Sequence, residues 1–579
     1  MAKGGAGMNF QLMIAEEIKS AILAAFGDAS LEAEQIREML EVPPDPALGD
    51  FAFPCFKLAK LLRKGPPMIS DALAAHISAA FLRNVESVKG YLNFYLSESV
   101  FAREVLTAAL AQGERYGSSN EGHGKTILID YSSINIAKKF HIGHLSTTML
   151  GNALNNMYRF LGYNCVGINH LGDWGTQFGK MVCAYKKWGN REQVERGGVD
   201  EMIKLYVRFD AEAESDPALA DEGRAWFKKI EDGDPEALEI FNWFKSVTLK
   251  YAEGLYDILG VKFDSYAGES FYNDKMDRVI DELRAKHLLV ESDGALVVDL
   301  EPYGMPPCLI VKKDGATLYA TRDLAAALYR KDHYDFTRCL YVVAYQQDLH
   351  FRQVFKVLEL MGYDWYKDME HVSYGMVSFE GRALSTRKGH VVHLDELLAT
   401  AIEKARTIIE EKSPDLENKD EIARQIGVGA VIYFDLYNGR IKDIDFWWER
   451  ALSFEGEAAP YVQYCHARCC SVLRKAEAAG ATMENPDYSA LCDEEARAVL
   501  TLIEQFPRLI VSAVERSEPS MITRLCASLA QTYNKYYFEH RILGDDQGGQ
   551  AARLALTAVV RNTLKTALAL IGVEAPEKM

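Results

Sequence analysis

The sequence predicts a multidomain chain of mixed class: an open, mostly parallel α/β sheet in the middle, an α+β segment before it and an all-helical bundle after it. Three observations carry that expectation. A short apolar run at 126–131 leads through a polar loop and a helical stretch at 144–161 to a second run at 165–170, which is β-α-β order. A breaker cluster at 113–124, rich in Gly and Ser, interrupts all periodicity before it. From about Phe454 the strand signals fade and Ala/Leu/Arg/Glu-rich helical segments take over.

Each part has its own justification. In 8–112, Ile14, Ile18, Ile22 and Leu23 recur at helical spacing, and Ala21, Ala24 and Ala25 favour the same state. Residues 88–96 alternate apolar and polar and read as one strand, with a helix from Glu98. The breaker cluster makes 113–125 a linker. The central part, 126–453, adds strand candidates at 339–344 and 371–377, and continuous apolar runs suit strands buried on both faces. Between its second and third strands lies an acidic, helix-rich insertion, 194–279, whose charge run at 210–216 reads as a solvated helix face. Residues 454–579 form the helical bundle. At roughly 100–200 residues per domain the chain holds about three to five domains.

Composition narrows the class. With 579 residues, 48% hydrophobic and 26% charged, the chain is ordinary globular protein, which excludes disordered, collagen-like and coiled-coil classes for its bulk. It has no uninterrupted apolar run of membrane-spanning length, and Glu16, Glu17 and Lys19 break the apolar stretch near its start, so a cytoplasmic protein with no membrane partner is expected. Ten cysteines are too dilute for a disulfide scaffold. Cys465, His466, Cys469 and Cys470 have helical spacing without a second ligand pair, so they read as a packed helix face and no structural metal is expected. A net charge of −18 argues against indiscriminate binding of DNA, yet leaves room for a local basic face.

Five constellations carry chemistry. The segment 135–144 follows the first sheet strand and opens a helix, where open sheets bind ligands and backbone N–H groups are unpaired. Lys138, His141 and His144 add donors for phosphate oxygens, and Gly143 lets a nucleobase approach the backbone; two incidental histidines at a helix start fit equally. Ser385, Thr386, Arg387 and Lys388, bounded by Gly381 and Gly389, suit a polyphosphate clamp or a solvated basic turn. Gly172, Asp173, Trp174 and Gly175 suggest a tight loop beside the crevice, where positioning of backbone and direct ligand contact fit equally. Tyr319 and Asp323, four apart, put a phenol and a carboxylate on one helix face, fitted to a guanidinium fork unless Asp323 merely pairs with Arg322 or Lys313. Gln346, Gln347 and His350 follow a strand directly, pointing into the crevice or simply turning the chain.

In this order the pieces resemble the class I aminoacyl-tRNA synthetases, and within them the arginyl-tRNA synthetases. His141-Ile142-Gly143-His144 matches the HIGH signature, and Leu384-Ser385-Thr386-Arg387-Lys388-Gly389 is similar to that family's version of KMSKS. The resemblance runs along nearly the whole chain: 48–52 and 90–94 resemble the N-terminal additional domain, while 461–468 and the ending from Gly572 resemble the anticodon-binding bundle. It implies a Rossmann-like catalytic domain and a two-step reaction. Arginine attacks the α-phosphate of ATP, with Mg²⁺ accompanying the nucleotide, and the arginyl group then passes to the terminal adenosine of tRNA(Arg).

The resemblance also implies roles. Ser133, Asn135 and His144 hold the α-amino and carboxylate end of arginine, and Tyr319, Asp323 and Gln347 read its side chain. His141, Gly143, His144, Met376 and Val377 line the ATP site, with Ser385, Arg387 and Lys388 closing over the phosphates. Ala383 and Thr386 stand where KMSKS has its lysines, and Lys138 is expected to compensate. Ile134 stands where proline usually follows the paired serines. Tyr464, Arg468, Arg474 and Lys475 are the expected tRNA contacts, with anticodon bases meeting Tyr533, Tyr536, Tyr537 and Phe538 unless these are core. A monomer is expected. The competing readings are a class I synthetase for another amino acid and a catalytically silent paralogue that only binds tRNA or a protein.

Overall fold

The computed structural model describes residues 10–28, 30–313, 319–383, 391–544 and 546–579. Its N-terminal part comprises α1 (Phe10–Phe26), α2 (Ala33–Met39), β1 (Phe51–Pro54), α3 (Phe56–Leu62), α4 (Pro66–Ala74), β2 (Leu82–Val88), β3 (Tyr91–Leu96) and α5 (Glu98–Gln112). Ile14, Ile18 and Ile22 are buried, so the helical spacing of apolar residues is the face α1 turns inward. The strands make an antiparallel sheet in the order β1-β3-β2. Residues 88–96 are therefore not one strand. Lys89 and Gly90, at φ 50° and 87°, form a two-residue turn, and Val88 pairs with Tyr91 across it. The alternation continues through the turn, which is why periodicity alone missed it.

Segment 113–125 is tied down, contrary to its reading as a linker. Tyr116 is buried and its hydroxyl donates to the Ile503 carbonyl at 3.2 Å, while Thr566 Oγ1 donates to the Glu114 carbonyl at 2.9 Å. One aromatic residue in a Gly/Ser-rich stretch is enough to anchor it.

The central part runs through β4 (Thr126–Asp130), α6 (Ile142–Phe160) and β5 (Asn164–Ile168), then a helical excursion of α7 (Thr176–Trp188), α8 (Arg191–Ala213), α9 (Pro217–Glu231), α10 (Pro235–Leu259) and α11 (Met276–Ala285). A three-stranded antiparallel sheet follows, β6 (Leu289–Ser292), β7 (Ala295–Val298) and β8 (Cys308–Val311), whose four-residue strands are too short to show a period. The chain then returns through α12 (Tyr319–Tyr334), β9 (Arg338–Ala344), α13 (Asp348–Leu360) and β10 (Met369–Tyr374). The main sheet has the order β10-β9-β4-β5 with every pair parallel. Because β5 and β9 flank β4 on opposite sides, the winding reverses at the carboxyl end of β4, which opens a crevice there.

The run 371–377 divides. β10 ends at Tyr374, and Gly375 passes so near Lys442 that a Cβ would lie 2.3 Å from its carbonyl oxygen. Beyond it β11 (Val377–Phe379) joins β12 (Arg382–Ala383) and β13 (Ile444–Phe446) in a separate sheet. Helices α14 (Leu394–Lys412), α15 (Lys419–Tyr437) and α16 (Trp448–Ala451) lead to the bundle α17 (Ala459–Ala478), α18 (Glu494–Glu515), α19 (Ser520–Glu539) and α20 (Gln547–Leu570). Cys465, Cys469 and Cys470 are buried in α17, and His466 Nδ1 lies 3.0 Å from the Pro576 carbonyl, an internal hydrogen bond to the C-terminal tail. No described helix is long and apolar enough to cross a membrane.

Candidate active site

Beyond β4 the backbone passes through Ser132, Ser133 and Ala137 at φ 70°, 47° and 61°, a costly path for residues with a Cβ. Hydrogen bonds hold it. Ser132 Oγ lies 2.7 Å from the Tyr256 hydroxyl, and the Ala137 N–H donates to Thr248 Oγ1 at 3.1 Å. Ile134 is buried, and its carbonyl accepts from the Gly172 N–H at 2.8 Å while the Ile136 N–H donates to the Gly172 carbonyl at 3.1 Å. A backbone bridge to the 172–175 loop thus fixes the turn where a proline ring would otherwise do so.

Helix α6 begins with a cap made of two imidazoles. His141 Nδ1 accepts the Gly143 N–H and His144 Nδ1 accepts the His141 N–H, each at 3.1 Å, the reciprocal pairing that Ser or Thr and Glu usually make. With both Nδ1 atoms accepting, each neutral ring carries its proton on Nε2. Burial, with His141 and Lys138 adding to it, pushes His144 down to about 3; burial, His393 and Lys138 also lower His141. Two neutral donors therefore stand at the positive end of α6. A Cβ on Gly143 would sit 3.0 Å from the His141 ring, so the missing side chain leaves room for the imidazole.

Lys138 is exposed just before this cap. Ser385, Arg387 and Lys388 lie outside the described residues, but the chain that follows is placed: the Ile142 N–H donates to the Val392 carbonyl at 3.0 Å, and His141 bridges His393. Val392 and His393 thus run beside the histidine cap. Met376 is exposed, with its N–H held by Asp443 at 2.7 Å, whereas Val377 is buried in β11 and packs its side chain into the core.

Helix α12 carries the acid one turn in from its start. Tyr319 is 68% exposed, and Asp323, with a side chain 27% exposed, pairs through its Oδ2 with His350 Nε2 at 2.6 Å. Burial pushes the Asp323 carboxyl up, but the hydrogen bond and charge of His350, aided by His170 and Arg330, outweigh it and hold the group below the usual range. Arg322 does not take this acid; it faces Glu269 at 3.5 Å. Burial pushes Glu269 up to about 7, against the pull of Arg322 and with Asp323 and Asp173 adding to the rise. Ser133 Oγ donates to Asp130 Oδ1 at 2.9 Å, Asn135 bridges Gly172 through its backbone, and Gln347 is exposed in the turn after β9. Tyr319, Asp323, Gln347, Ser133 and Asn135 therefore converge on the carboxyl edge of one sheet. Asp130 and Glu269 were not singled out from sequence as site residues, and His350 was named only with the polar turn after a strand, without a role of its own. Asp130 adjoins a segment that was singled out, while Glu269 sits in the excursion with no motif to mark it. Asp173 is fully buried and receives Lys245 Nζ at 2.5 Å, so the 172–175 loop is a structural brace.

In the bundle, Tyr464, Arg468, Arg474 and Lys475 line one cavity of about 670 Å³ together with Tyr537 and Arg541. The Arg468 guanidinium lies 5.0 Å from the Tyr464 ring and 5.1 Å from the Tyr537 ring. Tyr533 and Tyr536 are fully buried and belong to the core, whereas Tyr537 and Phe538 are exposed, Phe538 at 86%.

A parallel sheet whose switch point faces a histidine-capped helix defines the class I aminoacyl-tRNA synthetase catalytic architecture, and the family model "tRNA synthetases class I (R), catalytic domain" matches residues 105–448. "Arginyl tRNA synthetase N terminal domain" matches 13–96 and "DALR anticodon binding domain" matches 462–579. The chain is 53% identical over 546 residues to the arginine–tRNA ligase of Alkaliphilus metalliredigens, covering 94% of this chain and 96% of that one. It is 52% identical to the enzyme of that name from Clostridioides difficile, over 95% and 97% of the two chains. Among solved structures, the arginyl-tRNA synthetase of Thermus thermophilus superposes with a TM-score of 0.79 at 26% identity, over 98% of this chain and all of that one. The chain belongs to the arginyl-tRNA synthetase family.

Proposed function

We propose that this chain is an arginine–tRNA ligase, which condenses L-arginine with ATP to arginyl-adenylate and passes the arginyl group to the 3′-terminal adenosine of tRNA(Arg). The observation that carries the reading is the half-buried Asp323 carboxylate at the sheet's carboxyl edge, beside the neutral histidine pair. An uncharged amino acid gains nothing from such an acid, whereas a guanidinium meets it with a planar fork of donors. Tyr319 and Gln347 complete the side-chain slot, and Glu269 offers a second carboxyl within the field of Asp323. Asp130, Ser133, Asn135 and His144 take the amino-acid end, which places the arginine carboxylate to attack the α-phosphate.

On the ATP side, the Nε2–H groups of His141 and His144 donate to phosphate oxygens as charge moves onto the leaving pyrophosphate. Lys138 supplies the cation that Thr386 lacks, with Ser385, Arg387 and Lys388 closing over the phosphates and Met376 beside the adenine. Magnesium enters as the counter-ion of substrate ATP, held by its phosphates. The tRNA lays its anticodon loop on the face of Tyr464, Arg468, Arg474 and Lys475. The chain is expected to work as a monomer in the cytoplasm, where a reducing compartment suits its ten dilute cysteines.

ATP–pyrophosphate exchange with arginine and tRNA(Arg) present tests this reading. Wild type is expected to exchange in an arginine-dependent way, and Lys138→Ala to lose about tenfold or more, close to 1.4 kcal/mol of transition-state stabilisation. A wild type that exchanges nothing favours a silent tRNA-binding paralogue. A Lys138→Ala variant as fast as wild type removes that lysine from the step.

A further inference from the structure

One buried charge enters the site so far only through its pull on the Asp323 carboxyl. Arg330, near the end of α12, has a side chain only 1% exposed. Its Nη2 meets Asp130 Oδ2 at 2.7 Å and lies 3.4 Å from His170 Nδ1, and its guanidinium stands 5.3 Å from the Tyr341 ring. The Tyr272 hydroxyl and the Cys339 thiol also face its guanidinium. A buried ion pair is weak support for stability, because apolar residues of the same volume often replace one without loss. Its placement points elsewhere. Tyr319, Asp323 and Arg330 are spaced i, i+4 and i+11, so at about 100° per residue they fall within about 40° of one another on the helix. One face of α12 thus presents the guanidinium-reading acid near its start and Arg330 about two turns farther on. Asp130 joins this face to the other end of the pocket. Its Oδ2 is held by Arg330 while its Oδ1 accepts the Ser133 hydroxyl at 2.9 Å, and Ser133 itself sits at φ 47°.

We infer that Arg330 is a positioning residue for the amino-acid substrate: it fixes Asp130 and, through Asp130, Ser133, so that the end of the pocket receiving the α-ammonium is set at a constant distance from Asp323. The inference rests on the arginine reading above. A substrate must then match both the guanidinium and the α-amino nitrogen at once.

Arg330→Lys, Arg330→Met and Arg330→Gln test it in the full chain, by exchange kinetics with arginine and ATP varied separately. The competitor is 5-guanidinopentanoic acid, which keeps the guanidinium and carboxylate but lacks the α-amino group. Arg330→Met is expected to raise KM for arginine tenfold or more, to leave KM for ATP and the inhibition constant of the competitor within about twofold, and to be partly rescued by Arg330→Lys. Should the unpaired Asp130 prevent Arg330→Met from folding, Arg330→Gln, which still offers Asp130 an N–H donor, shows the same split. Unchanged KM for arginine overturns the inference. So do equal rises in all three constants, or insolubility of all three variants, which assign Arg330 to folding alone. A wild type without arginine-dependent exchange overturns the arginine reading itself, so the two failures are distinguishable.

Discussion

His144 shows how one side chain ties stability to the site. Its ring accepts a backbone N–H on Nδ1 and is buried, which pushes its pKa down to about 3, against about 6.5 in an unfolded chain. Between those values the unfolded chain binds the extra proton, so stability from this group is intact above about pH 6.5 and is lost as pH falls toward 3. The slope is about 1.4 kcal/mol per pH unit. His144→Asn keeps an acceptor for the His141 N–H and removes the titrating ring. Urea-unfolding midpoints measured at pH 7, 6 and 5 should therefore fall more steeply for wild type than for the variant, and parallel profiles would contradict the neutral-donor account. At this scale the four-residue spacing of Tyr319 and Asp323 was legible as one helix face, while a part in reading a guanidinium came from the resemblance alone. Asp130 and Glu269 were not legible, because each acquires its meaning from a partner on another element, Arg330 or Arg322.

Among the elements, those buried on both faces were the readable ones. The runs that became β4, β5 and β9 are continuous and apolar because helices cover both sides of the sheet. The hairpin of β2 and β3, the division at Gly375 and the strands β6 to β8 escaped, since each depends on a turn or on a pairing that leaves no period. Helix α17 presents a different pattern, with Tyr464, Arg468 and Lys475 on its exposed side and Cys465, Cys469 and Val472 buried. If Arg474 and Lys475 contact tRNA phosphates, replacing both by Ala should lower the slope of log affinity against log salt by about 1.4–1.8, from roughly 0.7–0.9 per contact. Filter binding or fluorescence titration across a salt series checks it. An unchanged slope would remove that helix face from the phosphate interface.

For the molecule as a whole, a net charge of −18 and a tRNA partner are reconciled by placement. Arg468, Arg474, Lys475 and Arg541 gather at one cavity of the bundle despite the acidic average. Composition recorded only the average, whereas the ordered motifs recorded the places, which is why family resemblance was readable and the geometry that couples the pocket's two ends was not. The account stands on the Asp323 slot. Its most direct measurement is kcat/KM for arginine in the exchange reaction, wild type against Asp323→Ala. The account predicts a loss of about 3 kcal/mol or more, the cost of leaving a guanidinium without its buried partner; arginine activation by that variant close to the wild-type rate would contradict it.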